Sequence, residues 1–421
     1  MRICLLTGEY PALGAHGGIG TYTQNLAHGL AGRGHEVTVL ARAFAPTAPF
    51  QEGAVKIEPV LAPRRWRLPA GNRYVGMTMW TMPFIHEAAR RFQALQAEAP
   101  FDVVEVPEYQ GWGLGVLARA QCPVVVRLHS HTALVRRLND VPIDLDARLV
   151  GGLEALSIRR GDVVLSNSQA LAAAMCQDFG ADPRRVGVLP LGIDAERFRP
   201  GDAGWLRAEL GLPESAPLLL YVGRLERRKG VEPMIEAFAR VAGWFPEATL
   251  AMAGFSTDTG PKQQSLLTHL QDRLDALGLS DRVRFLGHVP YERLPAYYAG
   301  ADICLAPSLY EPFGMIYLEA MACGRPVVGT AAGGAVEILK DGENGLLVPP
   351  GEAEPLAVAI ADLIADAPRR ERLGESARRT VLTHFSLPVF AERTEAHYRA
   401  AIEASRSHAG RFTEVGYVPH P

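Results

Sequence analysis

Long hydrophobic runs are missing from this sequence. No stretch approaches the roughly 20 apolar residues that a bilayer-crossing helix needs. The apolar start, Met1-Arg2-Ile3-Cys4-Leu5-Leu6, is far too short for a secretory signal. A soluble cytoplasmic protein is expected, one that can still touch the inner face of a membrane peripherally. Cysteine is scarce. Cys4, Cys122, Cys176, Cys304 and Cys323 are odd in number, scattered and without CxxC spacing, which argues against a disulfide framework or structural zinc and for a reducing compartment. The formal net charge is only -3, so bulk charge gives no reason to expect nucleic acid as a partner. The phosphate loop G-x-x-x-x-G-K-[ST], the zinc helix H-E-x-x-H and the nucleophile elbow G-x-S-x-G are all absent. A D-x-D spacing occurs once as Asp144-Leu145-Asp146, in an expected loop before a helix.

What is present is a β-then-α rhythm, in a chain of 421 residues that is long enough for two domains of roughly 100–200 residues. Short apolar, β-branched runs read as strands buried on both faces: Arg2–Thr7, Glu36–Ala41, Asp102–Val106, Pro123–Leu128 and Asp162–Leu165. Amphipathic stretches such as Thr21–Ala31, Ile85–Glu98 and Leu153–Arg160 read as the helices between them. A Pro- and Gly-rich connector, Gly187–Asp194 and Arg197–Pro200, breaks the series. A second series follows, with strands at Leu218–Val222, Thr249–Ala253, Arg282–Leu286, Ile303–Ala306 and Pro326–Gly329. Its helices are placed at Val231–Ala242, Gln264–Leu277, Leu294–Ala299, Met315–Cys323 and Pro355–Ala365. This alternation implies an α/β fold of two doubly wound, Rossmann-like parallel sheets. The domains are placed at 1–196 and 197–386, followed by a helix within 387–405 and a loose tail at 406–421. In such sheets, ligands bind beyond the carboxyl ends of the strands.

Four signals lie there. Gly17-Gly18-Ile19-Gly20 opens a helix after the first strand; it suits an anion at a helix N-terminus, or equally a tight helix–strand contact. The G-x-G-x-x-G dinucleotide spacing is not met. Gly223-Arg224-Leu225-Glu226-Arg227-Arg228-Lys229-Gly230 follows Leu218–Val222. Arg224 and Lys229 can neutralise a diphosphate there, the alternative being a solvated basic loop. Glu311-Pro312-Phe313-Gly314-Met315-Ile316-Tyr317-Leu318-Glu319 follows Ile303–Ala306. Its two carboxylates can grip hydroxyls on two parts of one ligand, or Glu311 can cap the helix with Glu319 exposed along it. The apolar flank Leu318 and Ala320-Met321-Ala322 favours a buried, partnered Glu319. His129, in Leu128-His129-Ser130-His131-Thr132, stands just past Pro123–Leu128 as a hydrogen-bonding group or a structural histidine. His129 and His131 have no third ligand nearby and do not read as a metal pair. Arg64-Arg65-Trp66-Arg67 is a basic, aromatic cluster suited to an anionic surface or to solvent.

Together these motifs resemble glycosyltransferase family 4, from Met1 to about Tyr398. The most specific match is E-P-F-G-x-x-x-L-E-A over Glu311–Ala320, with Gly223-Arg224-Leu225 and Lys229-Gly230 matching G-R-L-x-x-x-K-G. The resemblance implies a retaining GT-B enzyme whose two domains face across a cleft. It implies that Gly18 and Gly20 approach the donor phosphates, and that Arg224 and Lys229 hold the pyrophosphate. Glu311 and the amides of Gly314, Met315 and Ile316 would bind the donor sugar and phosphate, and Glu319 the ribose. His129 would bond the donor sugar. Gly254, Leu286 and Val289 would lie along the nucleotide, with Arg282–Val289 beside the base. The last helix, about Val389–Ala404, would cross back onto the N-terminal domain.

The expected activity is transfer of a hexose from a UDP- or GDP-sugar to a hydroxyl of a sugar, lipid-linked or small-molecule acceptor, in polysaccharide or glycolipid assembly. The nucleotide sugar is a co-substrate, and no cofactor or metal is expected. The acceptor would attack from the face the leaving group departs, with Arg224, Lys229 and the helix N-terminus stabilising that leaving group. Glu311 is the one nucleophile candidate for the alternative covalent route. Rival readings are a nucleotide-sugar epimerase or hydrolase on the same fold and a non-catalytic nucleotide-sugar clamp. A two-domain oxidoreductase is disfavoured by the missing dinucleotide fingerprint.

Overall fold

Two open sheets organise the chain, and most of their strands are short, Val-, Ile- and Leu-rich and buried on both faces. The computed structural model describes residues 1–15, 17–62, 76–202, 204–261 and 264–407. The cluster Arg64–Arg67 and all of the tail beyond Ser407 lie outside these described residues.

The first unit comprises Met1–Arg137, Pro142–Gly192 and Leu387–Pro421. Its strands are β1 (Arg2–Thr7), β2 (Glu36–Ala43), β3 (Phe50–Glu52), β4 (Val55–Leu61), β5 (Val103–Pro107), β6 (Val124–Arg127), β7 (Val163–Ser166) and β8 (Val186–Val188). They lie in the order β3-β4-β2-β1-β5-β6-β7-β8. Every pairing is parallel except β3 with β4. The parallel register sets Leu5 beside Glu105 and Pro107 beside Arg127, so the loops after β1, β5 and β6 leave the sheet at one edge. Phe84, Phe92, Trp112 and the β-strand valines fill the core beneath.

The second unit comprises Leu138–Val141 and Ile193–Ser386. Its strands are β9 (Leu218–Val222), β10 (Thr249–Ala253), β11 (Val283–Gly287), β12 (Ile303–Ala306), β13 (Val327–Thr330) and β14 (Leu346–Val348), all parallel, in the order β11-β10-β9-β12-β13-β14. The break between the units falls after Gly192 rather than after Glu196.

Several elements differ from the sequence expectation. Strand β4 is interrupted in sequence by Lys56, Glu58 and Pro59, which hide its apolar alternation. Glu58 is nonetheless buried and paired with Lys56 and Arg91, each at 2.7 Å. Part of the expected connector is strand β8, which pairs with β7. The helix Gly76–Glu98 begins well before Ile85 and carries Pro83 in its interior. Its start is capped by Asp146, which accepts from the backbone amides of Met77 at 2.7 Å and Thr78 at 2.9 Å. Asp146 sits inside the helix Leu145–Arg160, not in a loop, and Asp144 is that helix's N-cap. Both acids of the D-x-D spacing thus do structural work.

The helix Leu387–Arg406 belongs to the first unit. Tyr398 donates to Glu105 at 2.8 Å, and Arg33 donates to Glu395 at 2.6 Å. Its residues Leu387 and Ala391 crowd the α-carbon of Gly29, where a β-carbon would meet each at 3.0 Å.

Candidate active site

The carboxyl edge of the second sheet gathers the basic and acidic motifs. Past β9 the chain turns at Gly223, whose amide donates to the Ala253 carbonyl at 2.9 Å, while the Gly254 amide donates to the Gly287 carbonyl at 2.7 Å. The loops after β9, β10 and β11 are thereby stitched together. Gly254 has φ +152, and a β-carbon there would come within 1.8 Å of the Gly223 carbonyl oxygen, so only glycine allows this contact. Arg224 is fixed at its backbone, where its carbonyl accepts from Tyr221 at 2.7 Å. Its guanidinium is more than half exposed and reaches Glu226 at 3.2 Å.

Glu226 is buried and holds this basic loop in shape. It takes Arg228 at 2.7 Å and the Asn139 amide at 3.3 Å, and Asn139 in turn accepts from the Arg228 backbone at 2.9 Å. None of Glu226, Arg228 or Asn139 was singled out from the sequence. Asn139 is distant along the chain and carries no motif, while Glu226 and Arg228 lay inside a motif whose pattern leaves their positions open.

Lys229 is buried, and its ammonium donates to the Glu311 carboxylate. Ser308 also donates to Glu311, at 3.3 Å. Burial alone would push the Glu311 carboxyl up, but the charges of Lys229 and Arg228 outweigh it and hold the group below its ordinary value. For Lys229 the balance goes the other way: burial lowers it, although Glu311 pulls it up. The Glu311 loop is anchored through its carbonyl, which accepts the Gly334 amide at 2.7 Å, and Thr330 donates to the Ser308 carbonyl. Glu311 does not cap the following helix. The N-cap is Gly314, and the helix runs Met315–Ala322. The first N–H groups of a helix have no intrahelical acceptor, so Gly314, Met315 and Ile316 present donors at this edge.

That helix is apolar almost all round, so Glu319 is buried within it. One Glu319 oxygen accepts from Tyr298 at 2.7 Å, and the other meets no protein donor among the described residues. Burial pushes the carboxyl up to about 7, against the Tyr298 bond and the Lys229 charge. Of the positions expected beside the base, Leu286 lies half-buried on β11 and Val289 is buried just past it. Phe255 and His288 stack nearby with ring centres 4.4 Å apart.

The remaining expected residues lie in the first unit. Gly20 faces the Glu9 backbone, where a β-carbon would come within 2.9 Å of the Glu9 carbonyl oxygen; at Gly18 the space is open. His129 is buried just past β6. Its amide donates to Glu108 at 2.8 Å, and its ring meets Tyr22 edge-on at 4.9 Å. Burial and the Arg127 charge lower the imidazole to about 3, so it is neutral at pH 7. Beneath it, Glu105 accepts from Tyr22 at 2.5 Å, Tyr398 at 2.8 Å and Arg127 at 3.3 Å. His131 turns elsewhere, to Asp178 at 2.7 Å. Sequence reading missed Glu105, Glu108 and Glu154, single acids that are visible only once buried. Glu154 accepts the Gln110 amide at 3.1 Å and the Thr132 hydroxyl at 2.7 Å, tying the loops after β5 and β6 together.

The chain is similar in sequence and in fold to known glycosyltransferases. The family model for Glycosyltransferase Family 4 matches residues 16–197, and that for Glycosyl transferases group 1 matches residues 205–380. A D-inositol 3-phosphate glycosyltransferase of Catenulispora acidiphila is 32% identical, covering 86% of this chain and 84% of its own. One of Geodermatophilus obscurus is 33% identical, covering 88% and 82%. Among solved structures, the sucrose-phosphate synthase of Thermosynechococcus elongatus is 26% identical with a TM-score of 0.78, covering 96% of this chain and 99% of its own. The chain therefore belongs to glycosyltransferase family 4, and it is a glycosyltransferase of the GT-B fold with two Rossmann-like parallel-sheet domains.

Proposed function

We infer that this enzyme transfers a hexose from a UDP- or GDP-sugar to an acceptor hydroxyl with retention of the anomeric configuration. The observation that carries the donor assignment is the buried Lys229–Glu311 pair beside the exposed Arg224 guanidinium and the Gly314 helix start. Arg224 and Lys229 bring positive charge to the edge where a leaving diphosphate needs it, and the helix N-terminus adds oriented N–H donors. Glu311 lies low enough in pKa to stay ionised and accept hydroxyls of the donor sugar. The second oxygen of Glu319 is the acceptor for a ribose hydroxyl. His129, neutral at pH 7, donates or accepts a hydrogen bond without adding charge. On this reading the departing phosphate takes the acceptor's proton, the acceptor attacks from the same face, and no metal is needed.

The relatives named above suggest an inositol phosphate as one acceptor, and polysaccharide or glycolipid assembly is the wider setting we assign. No helix among the described residues is long and apolar enough to cross a membrane. Contact with an inner membrane face would involve Arg64, Arg65 and Arg67.

A thermal-shift panel with UDP, GDP, ADP and dTDP tests the donor assignment. A nucleotide at ~100 times its dissociation constant adds about 2.7 kcal/mol, a shift of several degrees. One nucleotide standing out names the donor class. No shift with any of the four rejects the Arg224–Lys229 and Glu311–Glu319 assignment. The anomeric proton coupling in the product tests retention.

A further inference from the structure

The helix Leu145–Arg160 has its polarity reversed. Its acids point inward: Asp146 caps the helix that begins at Gly76, and Glu154 accepts the Thr132 hydroxyl at 2.7 Å. Its leucines point outward. Leu145, Leu149 and Leu156 are 58%, 44% and 37% exposed, and Gly152 lies exposed between them. These four positions follow one another at intervals of four, three and four residues. That is the spacing of a coiled-coil seam, narrower than the face a helix turns to a core. Single exposed apolar residues are ordinary, but a row of them marks an interaction surface.

The middle of the seam is open. Gly151 and Gly152 sit side by side in the helix interior, where glycine weakens a helix relative to alanine. The fold of the single chain has no use for them there. Neither has the positive φ that calls for glycine, and a β-carbon on either would meet nothing within 4 Å among the described residues. The two glycines leave room for another backbone or side chain to come close. Charge is placed at both ends of the seam. Asp144 is the N-cap, and its carboxylate is about half exposed although Arg136 already reaches it at 2.9 Å. A carboxylate has lone pairs for a second cation. Arg159 and Arg160 are exposed in the last turn. Arg148 flanks the seam, where its aliphatic stem can cover the leucines.

We propose that this seam is a dimerisation surface and that its occupant is the same helix of a second copy of this chain, running antiparallel about a two-fold axis. In that pairing Leu149 packs over Gly152 of the second copy and Leu145 meets Leu156 of the second copy. Each contact occurs twice, as an interface between identical surfaces requires. The same register brings Arg159 and Arg160 to the Asp144 end of the second copy. A parallel pair would instead set the arginines of both copies together. The narrow seam also favours a helix over a lipid surface, since a helix lying in a bilayer interface needs a broad apolar face. A pair of four-turn helices is at the low end of specific interface size, so the dimer is weak and reversible. None of the seam residues belongs to the candidate active site.

Sedimentation velocity of the full chain from about 1 to 200 µM measures the dimer, whose fraction follows mass action. Leu149→Glu puts a charge into the seam, and Gly152→Leu fills the space that Leu149 needs. Both positions face water in the single chain, so thermal unfolding at the lowest concentration should stay close to wild type. Expected is a concentration-dependent dimer whose dissociation constant rises about tenfold or more in each variant. Gly152→Leu discriminates between occupants: an added leucine strengthens general apolar association or lipid binding and weakens only a close-packed helix pair. The double variant Leu145→Cys, Leu156→Cys should form a disulfide-linked dimer under mild oxidation, while the parent and either single variant should not. The two positions are about 16 Å apart along one helix, too far to join within a chain. Should Leu149→Glu fold poorly, Gly152→Leu and the disulfide still decide. A monomer at every concentration overturns the proposal, as does a dimer that survives both seam variants. Flotation of a monomeric chain with phosphatidylglycerol vesicles, strengthened by Gly152→Leu, also overturns it and assigns the face to lipid.

Discussion

The Lys229 ammonium donates to the Glu311 carboxylate, and both side chains are almost excluded from water. A buried pair repays its desolvation only while both charges are present. Glu311→Ala strands the lysine and should cost about 3–5 kcal/mol of stability by the same argument. Glu311→Gln strands the same charge but keeps the shape and an acceptor oxygen, so it should also destabilise, by less than the alanine variant by about the 0.5–1.5 kcal/mol of one retained hydrogen bond. In both variants turnover should fall by about 100-fold or more, the scale of losing a group aimed at developing charge, while nucleotide affinity changes little. Nucleoside-diphosphate release and urea unfolding separate the two effects. Turnover equal to the parent in Glu311→Gln would remove the role given to this carboxylate.

Glu319 has one oxygen committed to Tyr298 and one that meets no protein donor among the described residues. Losing a ribose contact affects ground-state binding more than chemistry, so Glu319→Ala should weaken nucleotide binding by about 10-fold, or roughly 1.4 kcal/mol, with a smaller change in kcat. Tyr298→Phe takes away the hydrogen bond that Glu319 accepts among the described residues and should cost about 1–3 kcal/mol of stability. Calorimetric titration with the nucleotide found in the thermal-shift panel measures the first. Unchanged affinity in Glu319→Ala would assign the residue to packing alone.

The two central carboxylates were legible because their surroundings in sequence are unusual. Glu311 sits between a strand-like run and a Pro–Gly break, and Glu319 sits among alanines and methionines that leave an acid no exposed face. The strands β1, β9, β10 and β12 were equally plain, since parallel strands buried on both faces read as unbroken apolar runs. What stayed hidden depends on distance along the chain. Asn139 bonds to Glu226, Glu105 collects Tyr22 and Tyr398, and Asp146 caps a helix that begins at Gly76; no local pattern announces any of these pairs. Strand β4 was masked by Lys56 and Glu58, charges that satisfy each other only once folded.

His129 is held neutral, lowered to about 3 by burial and the Arg127 charge. An imidazole in that state gives no charge change between pH 5 and 8. The pH–rate profile of kcat should therefore have the same shape in wild type and in His129→Gln, although the variant should be slower because its hydrogen bond is misplaced. A limb near pH 6.5 that vanishes in His129→Gln would show that the ring titrates during turnover, contrary to its buried environment.

Glu108 gives the clearest pH signature in the first unit. Burial pushes it up to about 8, with the neighbouring Glu154 carboxyl, itself at about 7, adding to the rise. In the unfolded chain an ordinary glutamate loses its proton near pH 4.3. Between these values the folded state holds a proton that the unfolded state has released, so Glu108 lowers stability progressively as pH rises from about 4.5 to 8. His129, His131 and His397 work in the opposite sense, because burial lowers each of them and their cost appears as pH falls below about 6.5. The useful observable is therefore the difference between wild type and Glu108→Gln, which keeps an acceptor for the His129 amide and removes the titration. Urea unfolding at pH 5, 6.5 and 8 should show Glu108→Gln gaining on wild type by about 3–5 kcal/mol across the range. A constant difference at all three values would mean that Glu108 is ionised in the folded protein, and that a donor or a water path reaches its second oxygen.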